Sequence, residues 1–504
     1  SYFLIIMGVI ANVFGTAVVV YVLQWYFNRR KIYKTFKNLG IPGPDPNLFF
    51  GNLWTLRWSK NLSSDCLSEW RQQYGNMYGY YFGVVPHLVV YDLDILRNVL
   101  IRDFSIFSNR PKIFQAQAKE IKLALQGLRD TRWKEVRSTL TPTFSMSKLK
   151  VLSKFMSESV DKVSEVLKDK ARSGEEVDIH EVYQRLTAEV IAVTALAISK
   201  DLVRNPHDEF LAAVRKIFRN TMNSAVMVSM YFPGLQSTLA FLAKFSVLGK
   251  MSSQVTSNIQ NEIDKRKNGL YVNDSGRTDL LQLMLDARKK DKLSRGLSDD
   301  DIIANVWSVM LAGYETTSNT LSFCSYLLAK HPDIQEKLLQ AILDKFGDGE
   351  VTYEGVHEID YLDQVVSETL RVFTPLPNFK RELAEDTVIG PYKIPAGTAI
   401  ECSSWEIHHD PDIWPEPYKF KPERFEADQK AARHPMAWIP FGAGPRQCIG
   451  MRYALLEIKM SLCKLLRQYR FIPSAKTEFP ELNMIPSVTT NPKNGIWLKI
   501  EQRI

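Results

Sequence analysis

Cysteine is scarce in this chain. Only Cys66, Cys324, Cys402, Cys448 and Cys463 occur among 504 residues, and none forms a C-x-x-C pair. Scattered, odd-numbered cysteines argue against a disulfide framework or a structural zinc site and fit a reducing compartment. A large excess of one charge is missing too. Basic and acidic residues number 64 and 56, leaving a net charge of +8. So mild an excess, with no nucleic-acid-binding motif, suits an anionic membrane surface or an acidic protein partner and not nucleic acid. Internal repeats, low-complexity tracts and Pro/Gly/Ser-rich linkers are absent between Gly40 and Ile504. Length alone would allow two or three domains. Without linkers, and with 45% hydrophobic residues, one large core is expected.

Charge is wholly absent from Tyr2–Phe27. These 26 residues exceed the roughly 20 that cross a bilayer as a helix. Asn28-Arg29-Arg30-Lys31 follows, then Lys34 and Lys37, which the positive-inside rule assigns to the cytosol. A cleaved signal peptide carries its basic residues before the apolar run, so an uncleaved anchor is expected. Residues 1–28 are read as the transmembrane anchor and 29–50 as a basic, Pro-rich linker. That linker includes Gly40-Ile41-Pro42-Gly43-Pro44-Asp45-Pro46, a stiff elbow. The remainder, 51–504, is read as the catalytic domain. Asn61-Leu62-Ser63 and Asn273-Asp274-Ser275 match the glycosylation pattern, which a cytosolic domain leaves unmodified.

Two motifs carry chemistry. The first is Phe441–Gly450, FGAGPRQCIG, which fits F-x-x-G-x-R-x-C-x-G at every fixed position. Gly442 and Gly444 permit a tight turn close to a flat cofactor. Phe441 can shield the sulfur of Cys448, and Arg446 offers a fixed charge. Apolar residues from Ala454 to Leu466 recur at helical spacing, so Cys448 precedes a helix N-terminus that stabilises a thiolate. A dinucleotide loop is a poor rival, because Gln447 replaces its third glycine. The second motif lies in a helix that should start at the N-cap Ser298 and stop at His331-Pro332. Its middle, Ala312-Gly313-Tyr314-Glu315-Thr316-Thr317, weakens a helix, and a threonine hydroxyl there can capture the carbonyl four residues back.

On these residues the chain resembles the cytochrome P-450 family. The first motif resembles that family's haem-binding loop, with Cys448 as axial ligand to haem b and Gly450 under the ring. The second resembles its distal helix: Ala312 borders the haem, Gly313 makes room for dioxygen, and Glu315 and Thr316 form an acid–alcohol pair. Glu368-Thr369-Leu370-Arg371 with Arg424 of Pro422-Glu423-Arg424-Phe425 resembles a buried Glu–Arg–Arg cluster that holds the cysteine loop. Trp133, Arg137, Arg381 and Arg446 resemble haem-propionate ligands. Pocket lining is implied for Ile113–Leu125, Val309, Leu376–Phe379 and Ser487–Thr490, supplying Phe114, Leu125, Val309, Leu376 and Phe379.

The resemblance spans the whole chain. It implies a mainly α fold with small β-sheets behind one transmembrane helix. The β elements are a hairpin at Met77–Tyr91, turning from Gly83 to Pro86, and strands near Val388–Ile400 and Gly495–Ile500. It also implies a membrane-bound monooxygenase of the endoplasmic reticulum acting on a lipophilic small molecule. Electrons would come from NADPH through a separate reductase, with cytochrome b5 as a possible helper. Arg129, Arg132, Lys134, Arg452 and Lys459 are candidate docking contacts. The branch that fits best holds broad-specificity drug oxidases, insect detoxification enzymes and thromboxane synthases. An electron-independent endoperoxide isomerase and a non-catalytic haem sensor or carrier are the alternatives. Met222–Leu248, broken by Pro233-Gly234, is either two core helices or a tip at Met230-Tyr231-Phe232 that dips into the bilayer. Without the resemblance, the residues reach only a membrane-anchored, mainly helical protein with a reactive cysteine.

Overall fold

The apolar N-terminal run forms one helix, α1 (Tyr2–Tyr33). At about 1.5 Å per residue it is about 48 Å long. It is the one helix among the described residues long and apolar enough to cross a membrane. The computed structural model describes residues 2–58, 63–111, 119–196, 200–219, 228, 233–243, 245–269, 279–290, 296–485 and 488–503. Phe114, Ser487, the Met230–Phe232 tip and the asparagines of both glycosylation patterns lie outside them.

The segment expected as a linker is packed. α1 continues through the basic cluster, and Arg29 is only 3% exposed. Its guanidinium donates to the Tyr33 hydroxyl and the Phe49 carbonyl. Tyr33 in turn donates to the Gly83 carbonyl, and Phe36 is buried beside Tyr81. The Gly79 amide bonds the Pro42 carbonyl, and a Cβ on Gly43 would lie 1.9 Å from the Gly79 oxygen. Close backbone contact fixes the elbow against the first sheet.

Five further helices build the site: α2 (Asp130–Leu140), α3 (Ile179–Leu196), α4 (Asp299–Lys330), α5 (Asp360–Val372) and α6 (Met451–Gln468). Their apolar faces share one large core. The strands that matter here are β1 (Met77–Phe82), β2 (Val85–Val90), β3 (Val177–Asp178), β4 (Asn378–Glu382), β5 (Ala399–Ser403), β6 (Tyr469–Pro473) and β7 (Trp497–Gln502). One sheet runs β1-β2-β5-β4, with β2 and β5 parallel, and a second runs β3-β7-β6. Small pairs join Thr387–Ile389 to Tyr392–Ile394 and Met484–Ile485 to Asn491–Pro492. The fold is therefore mainly helical with small sheets. The β1–β2 turn is tighter than expected. Phe82 already pairs with Val85, and Pro86 stands inside the strand opposite Tyr81. In the Met222–Leu248 region, Phe241, Leu242 and Phe245 are more than half exposed, so this described part is not core.

Candidate active site

Helix α4 forms one wall of the site, and local chemistry sets its ends. The Ser298 hydroxyl accepts from the Asp301 amide, and the Asp301 carboxylate accepts from the Ser298 amide at 2.9 Å. This capping box satisfies amides that a helix start leaves free. The middle stays helical despite Gly313, Thr316 and Thr317. Thr316 Oγ1 donates to the Ala312 carbonyl at 2.7 Å, the back-bond expected from its sequence. Gly313 permits a close crossing with α3, since a Cβ there would lie 3.1 Å from Ile191 Cδ1.

Val309, Ala312, Gly313, Thr316 and Thr317 line a largely apolar cavity. Cys448, Ile449, Gly450, Tyr453 and Ala454 line it as well. The loop carrying Cys448 needs its glycines. Gly442 and Gly444 have φ of +70° and +69°, and a Cβ on Gly444 would strike the Leu100 carbonyl oxygen at 1.9 Å. The Cys448 amide donates to the Phe441 carbonyl at 3.0 Å, closing the turn. Gly450 then caps α6. Cys448 presents free surface although it lies deep within the protein, because that surface opens into the cavity. Burial pushes its thiol up, against the pull of a Gly450 backbone hydrogen bond, Arg137 and Arg110. A Cβ on Gly450 would meet nothing within 4 Å, so the loop leaves a cradle beside the sulfur.

Next to this cradle stands a group of arginines. Arg446 donates to the carbonyls of Ser108, Leu125 and Leu128, and its guanidinium stacks 4.1 Å from the Trp133 ring centre. Burial, then Arg110, Arg381, Arg129 and Arg137, push it down to about 8. Burial and Arg110 bring Arg381 to about 10, and its Nε has no hydrogen-bond partner. Among the described residues, Arg110, Arg137, Arg381 and Arg446 pair with no carboxylate. Only Arg129 has one, Glu382 at 2.5 Å. Buried cations with no counter-ion, as Arg381 and Arg446 are among the described residues, are costly, and a bound anion would offset that cost.

A second charged group lies behind the loop. Glu368 takes two bonds from Arg371, at 2.7 and 2.8 Å, and both residues are fully buried. Arg424 stands 3.3 Å from Glu368, and the Lys421 amide donates to it at 3.0 Å. The three residues grouped by sequence pattern thus meet in space.

A family model described as Cytochrome P450 matches residues 41–498. Similar proteins include cytochrome P450 3A14 of Cavia porcellus, 35% identical over 93% of this chain and 92% of that protein. Cytochrome P450 3A29 of Sus scrofa is 33% identical over 93% and 92%. Thromboxane-A synthase of Rattus norvegicus is 33% identical over 99% and 98%. The chain belongs to the cytochrome P450 family. It is an oxidoreductase, a cytochrome P450 monooxygenase, and the family implies a haem-thiolate cofactor. The cradle at Gly450, the sulfur facing the cavity and the unpaired arginines fit such a group. Among the described residues no cluster of three His, Cys, Asp or Glu could hold a bare metal ion.

Other expected residues of this P450 fall differently. Glu315 and Thr316 are not bonded to each other. Successive helical residues point about 100° apart, and Glu315 bonds Thr489 instead, at 2.6 Å. Leu125 is tied by its amide to Asn305, Leu376 is 38% exposed, and Phe379 packs on the core of the first sheet. None of the three lines the cavity. Three docking candidates are already engaged: Arg129 with Glu382, Arg132 with Asp301, and the buried Lys459 with Asp363. Lys134 and Arg452 are exposed. Arg110 was missed, since no spacing links it to the other arginines.

Proposed function

We propose that this P450 inserts one atom of dioxygen into a lipophilic small molecule drawn from the membrane and reduces the other to water. Haem b would be held by Cys448, with Arg110, Trp133, Arg137, Arg381 and Arg446 taking its two carboxylates. Electrons would come from NADPH through a separate reductase, with cytochrome b5 as a second donor. The α1 helix would fix the enzyme to the endoplasmic reticulum, with the catalytic domain in the cytosol. A thiolate-ligated haem supplies electron density that favours O–O cleavage.

The protein's own residues have distinct parts. Phe441 covers the loop and keeps water from the sulfur. Gly450 and Ala312 leave room on opposite walls. Val309 and its apolar neighbours select a lipophilic substrate by desolvation. Thr316 places a hydroxyl at the cavity, and Glu315, one residue back, is the acid from which a proton can come. The observation that carries this reading is the Cys448 sulfur opening into an apolar cavity beside the buried Arg381 and Arg446, which among the described residues pair with no carboxylate.

The test is the carbon monoxide difference spectrum of the dithionite-reduced protein beside Cys448→Ser. The strongly red-shifted Soret band of a thiolate-ligated ferrous haem is expected in wild type and absent in the variant. A histidine-type band, or no haem in wild type, ends the reading. The likeness to thromboxane-A synthase supports a second one, electron-independent isomerisation of an endoperoxide. Turnover of an endoperoxide without reductase would establish it. The presence of both Glu315 and Thr316 favours the monooxygenase.

A further inference from the structure

Glu315 stands at the end of a buried chain of hydrogen bonds that leads away from the cavity. Thr489 Oγ1 donates to Glu315 Oε2 at 2.6 Å. Asn491 Nδ2 donates to Thr489 Oγ1 at 2.9 Å and to the Thr489 carbonyl at 3.2 Å. Asn319 Nδ2 donates to Asn491 Oδ1 at 3.0 Å and to the Thr490 carbonyl at 2.8 Å. Both amide hydrogens of Asn319 are thereby used, so its Oδ1 must face His180 Nε2, 2.9 Å away. That bond requires hydrogen on His180 Nε2, so Gln184 Nε2, 3.3 Å away, does not donate to it. Every link from His180 onward donates towards Glu315. Aligned bonds of this kind polarise one another in a low-dielectric interior. His180, Asn319, Thr489, Asn491 and Glu315 are each at most 8% exposed.

The chain lies on the wrong side of α4 for the cavity. Val309, Ala312, Gly313 and Thr316 recur at spacings of three and four and share the cavity face. Glu315 falls off that face and is held by Thr489, just before the strand that begins at Asn491. We propose that Thr489, Asn491, Asn319 and His180 are positioning residues that latch the Glu315 carboxylate outside the cavity, so that it reaches the cavity only by releasing Thr489. The functional weight of the latch rests on reading Glu315 as the proton source, but its geometry does not. Burial pushes the Glu315 carboxyl up, and the bonds from Thr489 and Asn491 pull it down. Release removes those donors and favours the protonated acid. Leaving the latch and taking up a proton are thus coupled.

The test uses the full-length, haem-containing protein and two readouts. Infrared spectra at neutral pH compare wild type with Thr489→Val/Asn491→Leu, using added Glu315→Gln to assign the band. The double variant should gain the carbonyl stretch of a protonated carboxylic acid, lost when Glu315→Gln is added. Thr489→Val alone should show a weaker band, and Thr489→Ser should match wild type. The second readout is hydrogen peroxide released per NADPH consumed with reductase, expected to shift several-fold in the double variant and in Glu315→Gln. Folded variants without an acid band overturn the latch, even where Glu315→Gln shifts peroxide release. An unchanged peroxide ratio in Glu315→Gln overturns the proton-source reading instead and leaves the latch to the infrared result.

Discussion

Two buried groups of charge flank the cysteine loop, and they are finished differently. Around Glu368, each carboxylate oxygen has a donor, and two of the three remaining hydrogens of Arg371 go to the carbonyls of His408 and Lys419. Burial raises Glu368, and Arg371 pulls it back. Around Arg446 the cations meet backbone carbonyls and one another, but among the described residues no anion beyond Glu382. A buried charge network closed on itself holds chain segments together. One left open costs stability until something fills it. The first is architecture, and the second is the imprint of an anionic group.

The sharpest break in this comparison is Glu368→Ala. It leaves Arg371, fully buried, without its carboxylate. Removing one partner of a buried pair costs about 3–5 kcal/mol. Urea unfolding should show that loss, and purified protein should carry little haem. Wild-type haem content would end the structural role assigned to the cluster.

Arg381→Met should behave in the opposite way. Arg381 is 2% exposed, with like-charged Arg110 nearby and an unbonded Nε. Replacing an uncompensated buried cation by an apolar chain of similar volume is often neutral or stabilising. The haem-free protein should therefore unfold within about 1 kcal/mol of wild type. Haem retention should weaken by about 1.5–3 kcal/mol, the range for a hydrogen bond to a charged group. Transfer of haem to an acceptor protein measures it. If haem-free stability falls by as much as in Glu368→Ala, the two groups do not differ as described.

What was legible in the sequence is what short windows encode. The apolar N-terminal helix, the Ser298 cap, the turn at Gly442 and Gly444, and the back-bond from Thr316 each depend on residues a few positions apart. The direction of Glu315 is also local, since neighbours on a helix diverge, but a motif that names Glu315 and Thr316 together hides it. Arg110, the Asn491–Asn319 link and the Lys459–Asp363 pair were not legible. Their partners lie on other elements, often far along the chain, and nothing in their spacing marks them. The packing of residues 29–50 is hidden for the same reason. Arg29 reads as a solvated charge until Phe49 and Tyr33 are seen beside it.

The smallest effect separates burial from charge. Lys337 bonds Glu423 at 2.8 Å, immediately beside Arg424, but these side chains are 56% and 45% exposed. Lys337 also lies 4.1 Å from the Tyr361 ring centre. Exposed pairs of this kind contribute about 0–1 kcal/mol, because water already solvates both charges. Lys337→Ala should cost no more than about 1 kcal/mol in urea unfolding, and that loss should shrink in 1 M salt, where exposed charges are screened. Glu368→Ala, out of reach of salt, should lose the same amount at either ionic strength. If Lys337→Ala matched it in size, the turn at Pro422–Phe425 would owe its place to charge pairing at the surface, and the closed network beneath it would not be what holds the loop.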